Sequence, residues 1–477
     1  MKIFNSLGRE KKEFVPLIAG TVSIYVCGMT VYDFCHLGHA RVMIFFDIVR
    51  RWFEACGLNV NYVRNITDVD DKIIARAREQ KISIRELTDK YIHEMKIDAK
   101  SLDIIDPSIE PRATDYIPEM LDFIDKLQSS GYAYESDGDV NFSVRNFKEY
   151  GKLSGKTLDE LRAGERVPVG NRKKDPLDFV LWKKTKSHEP SEVSWNSPYG
   201  PGRPGWHLEC STMSCELLGP KFDIHGGGID LQFPHHENEI AQSEGALNTK
   251  AQVASVGTWM HVGFVTVEKE KMSKSFGNFS TIRDILKEVN PETVRYFLLK
   301  GHYRSPVNYS VEQITNAKNA LKSLYGILER SEELEHLSII EEKNYISFAM
   351  SSDNKHALKF RDAINDDFNT PLALSELFAF ANKIKLELKS NDKSNLKLYR
   401  GLGLILGFFK RPLEKEKKSN PNMKKELNES LINDLLSERV EAKKNKNYER
   451  ADEIRNYLKE FEILVEDTSE GTKWRRS

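Results

Sequence analysis

The chain has 477 residues, which is more than one domain usually holds, so we expect about three or four domains. A hydrophobic fraction of 39 % can form sizeable cores, and a charged fraction of 30 % with a net charge of −1 suits a soluble protein. No apolar run is long enough to span a membrane, and the N-terminus lacks the apolar core of a secretory signal. Five cysteines do not make a disulfide framework in so long a chain, so we expect a cytoplasmic, reducing environment.

The first elements of the chain predict a β-α-β unit. An alternating apolar run at Thr21–Val26 predicts a strand, and the apolar-rich run Ala40–Cys56 predicts a helix that Gly57 ends. A second strand is predicted at 60–66, followed by a helix. This order predicts a parallel sheet, and ligands bind such sheets where strands turn into helices. The turn between the first strand and helix, Cys27–His39, is therefore the first candidate site.

The rest of the chain divides by pattern. Short alternating runs with many glycines, prolines and lysines predict an insertion, after which the sheet pattern resumes and then gives way to helical periodicity at Thr281. The expected divisions are a parallel-sheet domain at 1–130 and 203–275, an inserted connective domain at 131–202, a further region at 276–344, a helical bundle at 345–409, a charged linker at 410–427 and a small C-terminal domain at 428–477.

Two basic clusters lie near the C-terminus. Lysines are frequent between Arg411 and Glu426, and the chain ends with the basic run Lys473–Arg476 around a tryptophan. Such local patches can bind nucleic acid even in a neutral protein. A solvated linker and a frayed tail are the simpler alternative.

The first motif with chemical content is His36-Leu37-Gly38-His39, at the predicted helix start. Two imidazoles there can donate to phosphate oxygens, and Gly38 allows a phosphate chain or a flat ring to approach the backbone. A histidine that only caps the helix is the alternative.

The second motif is Lys271-Met272-Ser273-Lys274-Ser275, far along the chain. The ammonium groups of Lys271 and Lys274 would bind the pyrophosphate part of a nucleotide as point charges. The alternative for an isolated pentapeptide is a solvated loop. The joint occurrence of the histidine and lysine motifs, in this order and across a β-α-β pattern, is improbable by chance.

With these two motifs the chain resembles the class I aminoacyl-tRNA synthetases. The resemblance implies an α/β fold with a Rossmann-like doubly wound parallel sheet as catalytic domain and an insertion, followed by α-helical tRNA-binding domains and a small C-terminal α+β part. Within the helical part, it implies a stem-contact region at 276–344 and a bundle of the tRNA- or anticodon-binding type at 345–409. It implies that ATP, with Mg²⁺, is bound and adenylate formation catalysed by His36, His39, Lys271 and Lys274. Further ATP contacts are expected from Gly38 and from Gly226, Gly227 and Asp230, which follow an apolar strand; a tight turn with a capping aspartate is the alternative there.

A candidate metal site combines Cys27, Cys210, His235 and Glu239. Two thiolates, an imidazole and a carboxylate suit Zn²⁺, although ligands dispersed over more than 200 residues are a weak signal by spacing alone. His235 and Glu239 are four residues apart and share a helix face, whereas His236 should point away from it. A small buried hydrophobe is the alternative for Cys27.

Several longer segments resemble the cysteinyl-tRNA synthetases over essentially the whole chain. They are 27–33, 64–72, 175–179 with 181–183, 205–210, 223–228, 235–239, 366–371 and the C-terminal 467–468 and 471–475. The resemblance implies that Cys27, Cys210, His235 and Glu239 hold one zinc ion and that Thr67 and Trp206 line the cysteine pocket. Helix capping by Thr67 and core packing of Trp206 are the alternatives. A zinc ion that binds the substrate thiolate would distinguish cysteine from serine without an editing site.

The implied activity is that of an ATP-dependent cysteine–tRNA ligase. Its partners would be cysteine tRNA, ATP and L-cysteine, with no membrane or DNA, and a monomer is expected. One alternative is a ligase that joins cysteine to an amino-sugar acceptor, but such relatives should lack the long C-terminal part present here. The other is a non-catalytic RNA-binding protein with a structural zinc, which would not need both phosphate-binding motifs.

Overall fold

The structure is a computed structural model that describes most of the chain. The described residues are 1–163, 173–247, 255–267, 270–271, 280–330, 335–387, 393–413, 429–444, 447–448, 451–452, 454–455, 458, 463–468 and 471–476. Lys274 and most of the charged linker lie outside them. The chain divides into two units, Met1–Pro412 and Leu413–Ser477. None of the described helices is both long and apolar enough to cross a membrane.

The elements follow one another in a mixed α/β order in the N-terminal half and a helical order later. The strands are β1 Lys2–Asn5, β2 Glu10–Glu13, β3 Thr21–Val26, β4 Asn59–Arg64, β5 Ala133–Ser136, β6 Asp139–Phe142, β7 Phe179–Lys184, β8 Gly202–Pro204, β9 Phe222–Gly228, β10 Val256–Val262, β11 Val265–Val267, β12 Glu270–Lys271, β13 Val307–Tyr309, β14 Ile463–Thr468 and β15 Gly471–Arg476. The helices are α1 Leu37–Ala55, α2 Asp71–Gln80, α3 Ile84–Ser101, α4 Ile117–Ser129, α5 Leu158–Ala163, α6 Trp206–Leu218, α7 Glu237–Ala246, α8 Ile282–Leu286, α9 Pro291–Leu299, α10 Val311–Arg330, α11 Ile339–Ser351, α12 Lys355–Asn365, α13 Thr370–Glu387, α14 Lys393–Ile405 and α15 Glu429–Lys444.

The predicted parallel sheet is confirmed, with the strand order β10-β9-β3-β4. β3 covers the predicted residues, and its Ile24 lies opposite Tyr62 of β4 on one side and Ile224 of β9 on the other. The chain leaves β3 towards β4 and returns on the opposite side at β9. Ligands bind open α/β sheets at the crevice where the strand order reverses in this way. In this chain that crevice lies at the carboxyl ends of β3 and β9.

The region between the two parts of the parallel sheet contains an antiparallel sheet of its own. Its strand order is β5-β6-β7-β8, and Trp182 on β7 is completely buried beneath it. β8 ends at Pro204, and α6 begins at Trp206. The antiparallel sheet therefore leads directly into the helix that carries Cys210.

Buried polar groups join α1 to the later helices of the first unit. The Asp47 carboxylate on α1 accepts from Arg51 Nε at 2.8 Å and from Arg295 Nη1 on α9 at 2.7 Å. Near the start of α1, the Arg41 guanidinium donates to the carbonyl oxygens of Phe264 and Ser305. The helix that begins with the histidine motif is thus fixed at two points along its length.

The second unit has a small core of its own. A helix, α15, is followed by the antiparallel hairpin of β14 and β15. Its buried apolar residues are Ile432, Leu436, Ile454, Leu458 and Ile463, with Val465 and Trp474 packed against them. The basic C-terminal run lies in β15, so the alternative of a frayed tail is wrong.

Candidate active site

The turn between β3 and α1 lies at the crevice of the parallel sheet. Cys27 follows the last residue of β3, and its backbone N–H donates to the carbonyl of Gly226 on β9 at 3.0 Å. Thr30 and Thr67 form a bridge between the loops that follow β3 and β4. These loops follow neighbouring parallel strands, so their side chains meet at the same edge of the sheet.

The four residues of the candidate metal site are brought together there and are buried. Cys27 Sγ lies 3.6 Å from Cys210 Sγ and 3.4 Å from Glu239 Oε1, and His235 Nε2 lies 3.0 Å from the same Glu239 oxygen. All four ligand atoms lie within 4.8 Å of one another. Cys27 comes from the end of β3, Cys210 from α6, and Glu239 from the first turn of α7.

Two further histidines contact the same cluster. His225 Nε2 on β9 lies 3.5 Å from Cys27 Sγ, and His236 Nε2 lies 3.4 Å from it. The prediction that His236 points away from the site is wrong. It considered only the four-residue spacing of His235 and Glu239, but His236 stands three residues before Glu239, a spacing that also shares a helix face, and its Nε2 lies 3.9 Å from Glu239 Oε1. Cys27, His225, His236 and Glu239 therefore form a second possible ligand set.

The titratable groups of the cluster are crowded and buried, and this environment shifts their pKa values. Burial raises the pKa of the Cys27 thiol and of the Glu239 carboxyl well above their usual values. Burial opposes ionisation of Cys210 too, but hydrogen bonds from Cys27 and His235 lower its pKa to about 7. Glu239 Oε2 has no hydrogen-bond partner among the described residues. A divalent cation with nitrogen and sulfur preference fits this donor set, because it would stabilise the thiolates and satisfy the buried carboxylate.

The two motif histidines are held by the start of α1. His36 is the N-cap residue; its Nδ1 accepts from the Gly38 N–H at 3.1 Å, and His39 Nδ1 accepts from the His36 N–H at 3.2 Å. The rings stack with centroids 3.8 Å apart, and a side chain at Gly38 would meet the His36 ring at 2.8 Å. Since both Nδ1 atoms accept, a neutral ring carries its proton on Nε2, which is the tautomer that can donate to phosphate. Capping and phosphate binding are therefore compatible here.

Residues downstream of the lysine motif contact the histidine motif. Thr281, six residues after Ser275, forms a β-bridge with His36, and the Ile282 N–H donates to the Cys35 carbonyl at 2.9 Å. At the other end, Lys271 ends the short strand β12, which pairs with β11. Lys274 lies outside the described residues. Thr281 and Ile282 therefore lie beside the histidine motif.

The glycine run differs from its prediction. Gly226 and Gly227 do not follow the strand but form its carboxyl end, opposite Met260 and His261 of β10. A Cβ at Gly226 would lie 2.0 Å from the Phe46 ring of α1, so the missing side chain lets α1 pack directly on the sheet. Asp230 follows in a short 3-10 turn and is exposed. The alternative of an ordinary tight turn at the glycines is also wrong.

The two residues expected in the cysteine pocket lie beside the cluster. Thr67 is buried, and its hydroxyl donates to the Glu209 carboxylate at 2.9 Å. Asp70, not Thr67, caps α2. Trp206 remains 40 % exposed at the start of α6, with its ring centroid 4.3 Å from that of His235. Core packing therefore does not account for Trp206.

The sequence interpretation missed three buried neighbours of the site, His225, His236 and Glu209. His225 and Glu209 each stand next to a residue that was singled out, Gly226 and Cys210 respectively. A polar residue in an otherwise apolar strand or buried helix turn was the available signal. These residues converge because β3 pairs with β9, and this pairing cannot be read from the sequence.

Comparisons with known proteins agree with this architecture. The family model for the class I (C) tRNA synthetase catalytic domain matches residues 13–319, the DALR domain matches 359–410, and the cysteinyl-tRNA ligase anticodon-binding domain matches 429–475. The cysteine–tRNA ligases of Janthinobacterium sp. (strain Marseille) and Herminiimonas arsenicoxydans are each 52 % identical to the chain over 100 % of it and 99 % of their own length. The fold is similar to Mycobacterium tuberculosis methionyl-tRNA synthetase in complex with methionyl-adenylate, with a TM-score of 0.55, 15 % identity and coverage of 81 % of this chain and 88 % of that one.

Proposed function

The chain belongs to the cysteinyl-tRNA synthetase family of class I, and we propose that it activates cysteine in the crevice between β3 and β9. It is an ATP-dependent cysteine–tRNA ligase: cysteine and ATP form cysteinyl-adenylate with loss of pyrophosphate, and the cysteinyl group then passes to the 3′ end of tRNA with release of AMP. The observation that carries the location is the buried Cys27–Cys210–His235–Glu239 cluster at the end of β3. The histidine motif begins nine residues after Cys27, so both halves of the reaction would meet on one turn.

We propose that Cys27, Cys210, His235 and Glu239 are the ligands of one zinc ion. Two thiolates make this set softer than the overlapping set with His225 and His236, and Zn²⁺ accepts thiolate, imidazole and carboxylate together. When bound there, zinc would take the thiolate of the substrate as a further ligand, which the hydroxyl of serine could not match at neutral pH. Thr67 and Trp206 would line the pocket around the remainder of the amino acid.

The nucleotide would lie across the start of α1. The positive end of the helix dipole, Nε2 of His36 and His39 and the backbone at Gly38 offer donors to phosphate oxygens. Lys271 and Lys274 would add positive charge as the pyrophosphate leaves, with Mg²⁺ on the phosphates. The exposed Asp230 would accept from the ribose hydroxyls beyond Gly226 and Gly227. Catalysis in this scheme is positioning and charge stabilisation, without a covalent enzyme intermediate.

The later regions would bind the tRNA. We propose that the insertion at 131–202 and the region at 276–344 contact the acceptor side, and that the bundle at 345–409 and the domain at 428–477 read the rest of the molecule. The match of 429–475 to an anticodon-binding domain supports a tRNA acceptor over an amino-sugar acceptor. A cytoplasmic monomer is proposed from the family resemblance.

Substitution of single cysteines tests the metal site. Cys27→Ser should lose zinc and bind cysteine more weakly, whereas Cys35→Ser is the matched control, since Cys35 is equally buried in the same turn and contacts Met29 Sδ instead. Metal analysis and cysteine-dependent pyrophosphate exchange are the measurements. Unchanged zinc content and cysteine affinity in Cys27→Ser would refute the assignment. Retention of zinc in Cys210→Ser, with its loss in His225→Asn, would favour the overlapping set.

A further inference from the structure

Glu209 is a buried carboxylate that the proposed function does not use. It is completely excluded from solvent on α6, directly before Cys210. Its Oε2 accepts from the Thr67 hydroxyl at 2.9 Å, and its Oε1 has no hydrogen-bond partner among the described residues. The ion pairs found in the described part of the chain do not include it. A buried carboxylate is costly unless hydrogen bonds or a cation compensate it, so its unpartnered oxygen points to a missing donor.

Glu209 ends a chain of hydrogen bonds that links the sequence neighbours of the two cysteines. The Gly28 N–H donates to Asn65 Oδ1 at 2.8 Å, Asn65 Nδ2 lies 3.4 Å from Thr67 Oγ1, and Thr67 donates onwards to Glu209. The chain begins at the residue after Cys27 and ends at the residue before Cys210, and these two sulfurs are 3.6 Å apart. The hydroxyl hydrogen of Thr67 is therefore directed towards Glu209. The lone pairs of the Thr67 oxygen are then free to accept from other donors.

The chemistry of the substrate supplies such a donor. In cysteine only two carbons separate the sulfur from the α-ammonium group, so a thiolate bound at the cluster keeps its ammonium within a few ångströms. An ammonium group brings three N–H donors and one positive charge, which match the oxygen of Thr67 and the carboxylate of Glu209. We propose that Glu209 is a specificity-determining residue that, together with Thr67, recognises the α-ammonium group of cysteine. This inference rests on the sulfur site of the proposed function.

A pair of ligands that differ only at the amino group tests the inference in the metal-loaded full chain. Cysteine and 3-mercaptopropionate both offer the thiol and the carboxyl group, but only cysteine has the ammonium. Glu209→Gln should weaken cysteine binding about 10- to 100-fold, the usual loss for a hydrogen bond to a charged group, and change 3-mercaptopropionate inhibition less than about twofold. Thr67→Val should act in the same direction, and the double variant should lose little more than Glu209→Gln alone.

Glu237→Gln is the matched control. Glu237 is an equally buried carboxylate on α7, but its oxygens accept from the backbone N–H groups of Leu153 and Ser154, so the ratio of the two affinities should stay unchanged. Equal weakening of both ligands in Glu209→Gln, or unchanged cysteine binding, would overturn the proposal. If Glu209→Gln fails to fold, the same ratio in Thr67→Val decides, and an unchanged ratio there overturns it.

A wrong assignment of the zinc site would give a different experimental result from a wrong assignment of Glu209. If removal of zinc from the unsubstituted protein left the affinity for 3-mercaptopropionate unchanged, the metal assignment would fall. The ammonium inference is measured separately, by the loss of discrimination between cysteine and its des-amino analogue in Glu209→Gln.

Discussion

Substitution of Asp47 by asparagine should strongly destabilise the Met1–Pro412 unit. Its carboxylate is completely buried and faces two guanidinium groups, Arg51 on its own helix and Arg295 on α9. The Ile105 N–H donates to its other oxygen at 3.0 Å. An asparagine of the same size leaves both cations in place but removes the charge that compensates them.

The magnitude follows from this burial. Removal of one partner of a buried ion pair costs about 3–5 kcal/mol, because the remaining charge stays desolvated and unpaired. Asp103 provides the comparison: its carboxylate lies 3.7 Å from Arg51 and 3.0 Å from Lys410, but its side chain is 37 % exposed. An exposed pair contributes about 0–1 kcal/mol, so Asp103→Asn should cost several-fold less.

Urea unfolding of the two variants at neutral pH measures the difference, with helical circular dichroism as the signal. Equal losses of free energy of unfolding in Asp47→Asn and Asp103→Asn would refute the reasoning from burial.

Acidification provides an independent check on the same carboxylate. Burial by itself would raise the pKa of Asp47, but Arg51 and Arg295 outweigh it and hold this pKa below the ordinary value. Because the folded pKa is the lower one, the stabilisation is complete above the unfolded pKa of about 3.9 and is lost as pH falls through the folded value. The stability gap between the unsubstituted protein and Asp47→Asn should therefore narrow below about pH 4.

Three further predictions concern Gly226, Trp206 and the C-terminal unit. Gly226→Ala should cost about 1–3 kcal/mol, since its Cβ would overlap the Phe46 ring, and Phe46→Leu should recover part of the loss in thermal unfolding. Trp206→Ala should change the free energy of unfolding by less than about 1 kcal/mol but raise the KM for cysteine; an unchanged KM would exclude Trp206 from the pocket. Truncation after Pro412 should preserve pyrophosphate exchange while reducing tRNA charging, and equal loss in both assays would mean that the tail is structural.

Local sequence patterns were sufficient for the elements that carry the site. The alternating run at Thr21–Val26 became β3 without a change of bounds, and α1 begins at Leu37, three residues before the predicted start. The predicted bounds start too late because they followed only the apolar run from Ala40, whereas the side chain of His36 caps a helix that begins at Leu37. Patterns were less informative at Gln232–His236, a short π-helical turn directly before α7.

The sequence by itself determined the family, the donor types and the histidine and lysine motifs, because these depend on which side chains occur and in what order. Only the tertiary structure decided which side chains meet at Cys27. Cys210 and Glu239 lie far along the chain, and they reach Cys27 because β9 pairs with β3 and brings α6 and α7 with it. The contacts of His225, His236 and Glu209 arise from the same pairing, which is a non-local interaction that no sequence period encodes.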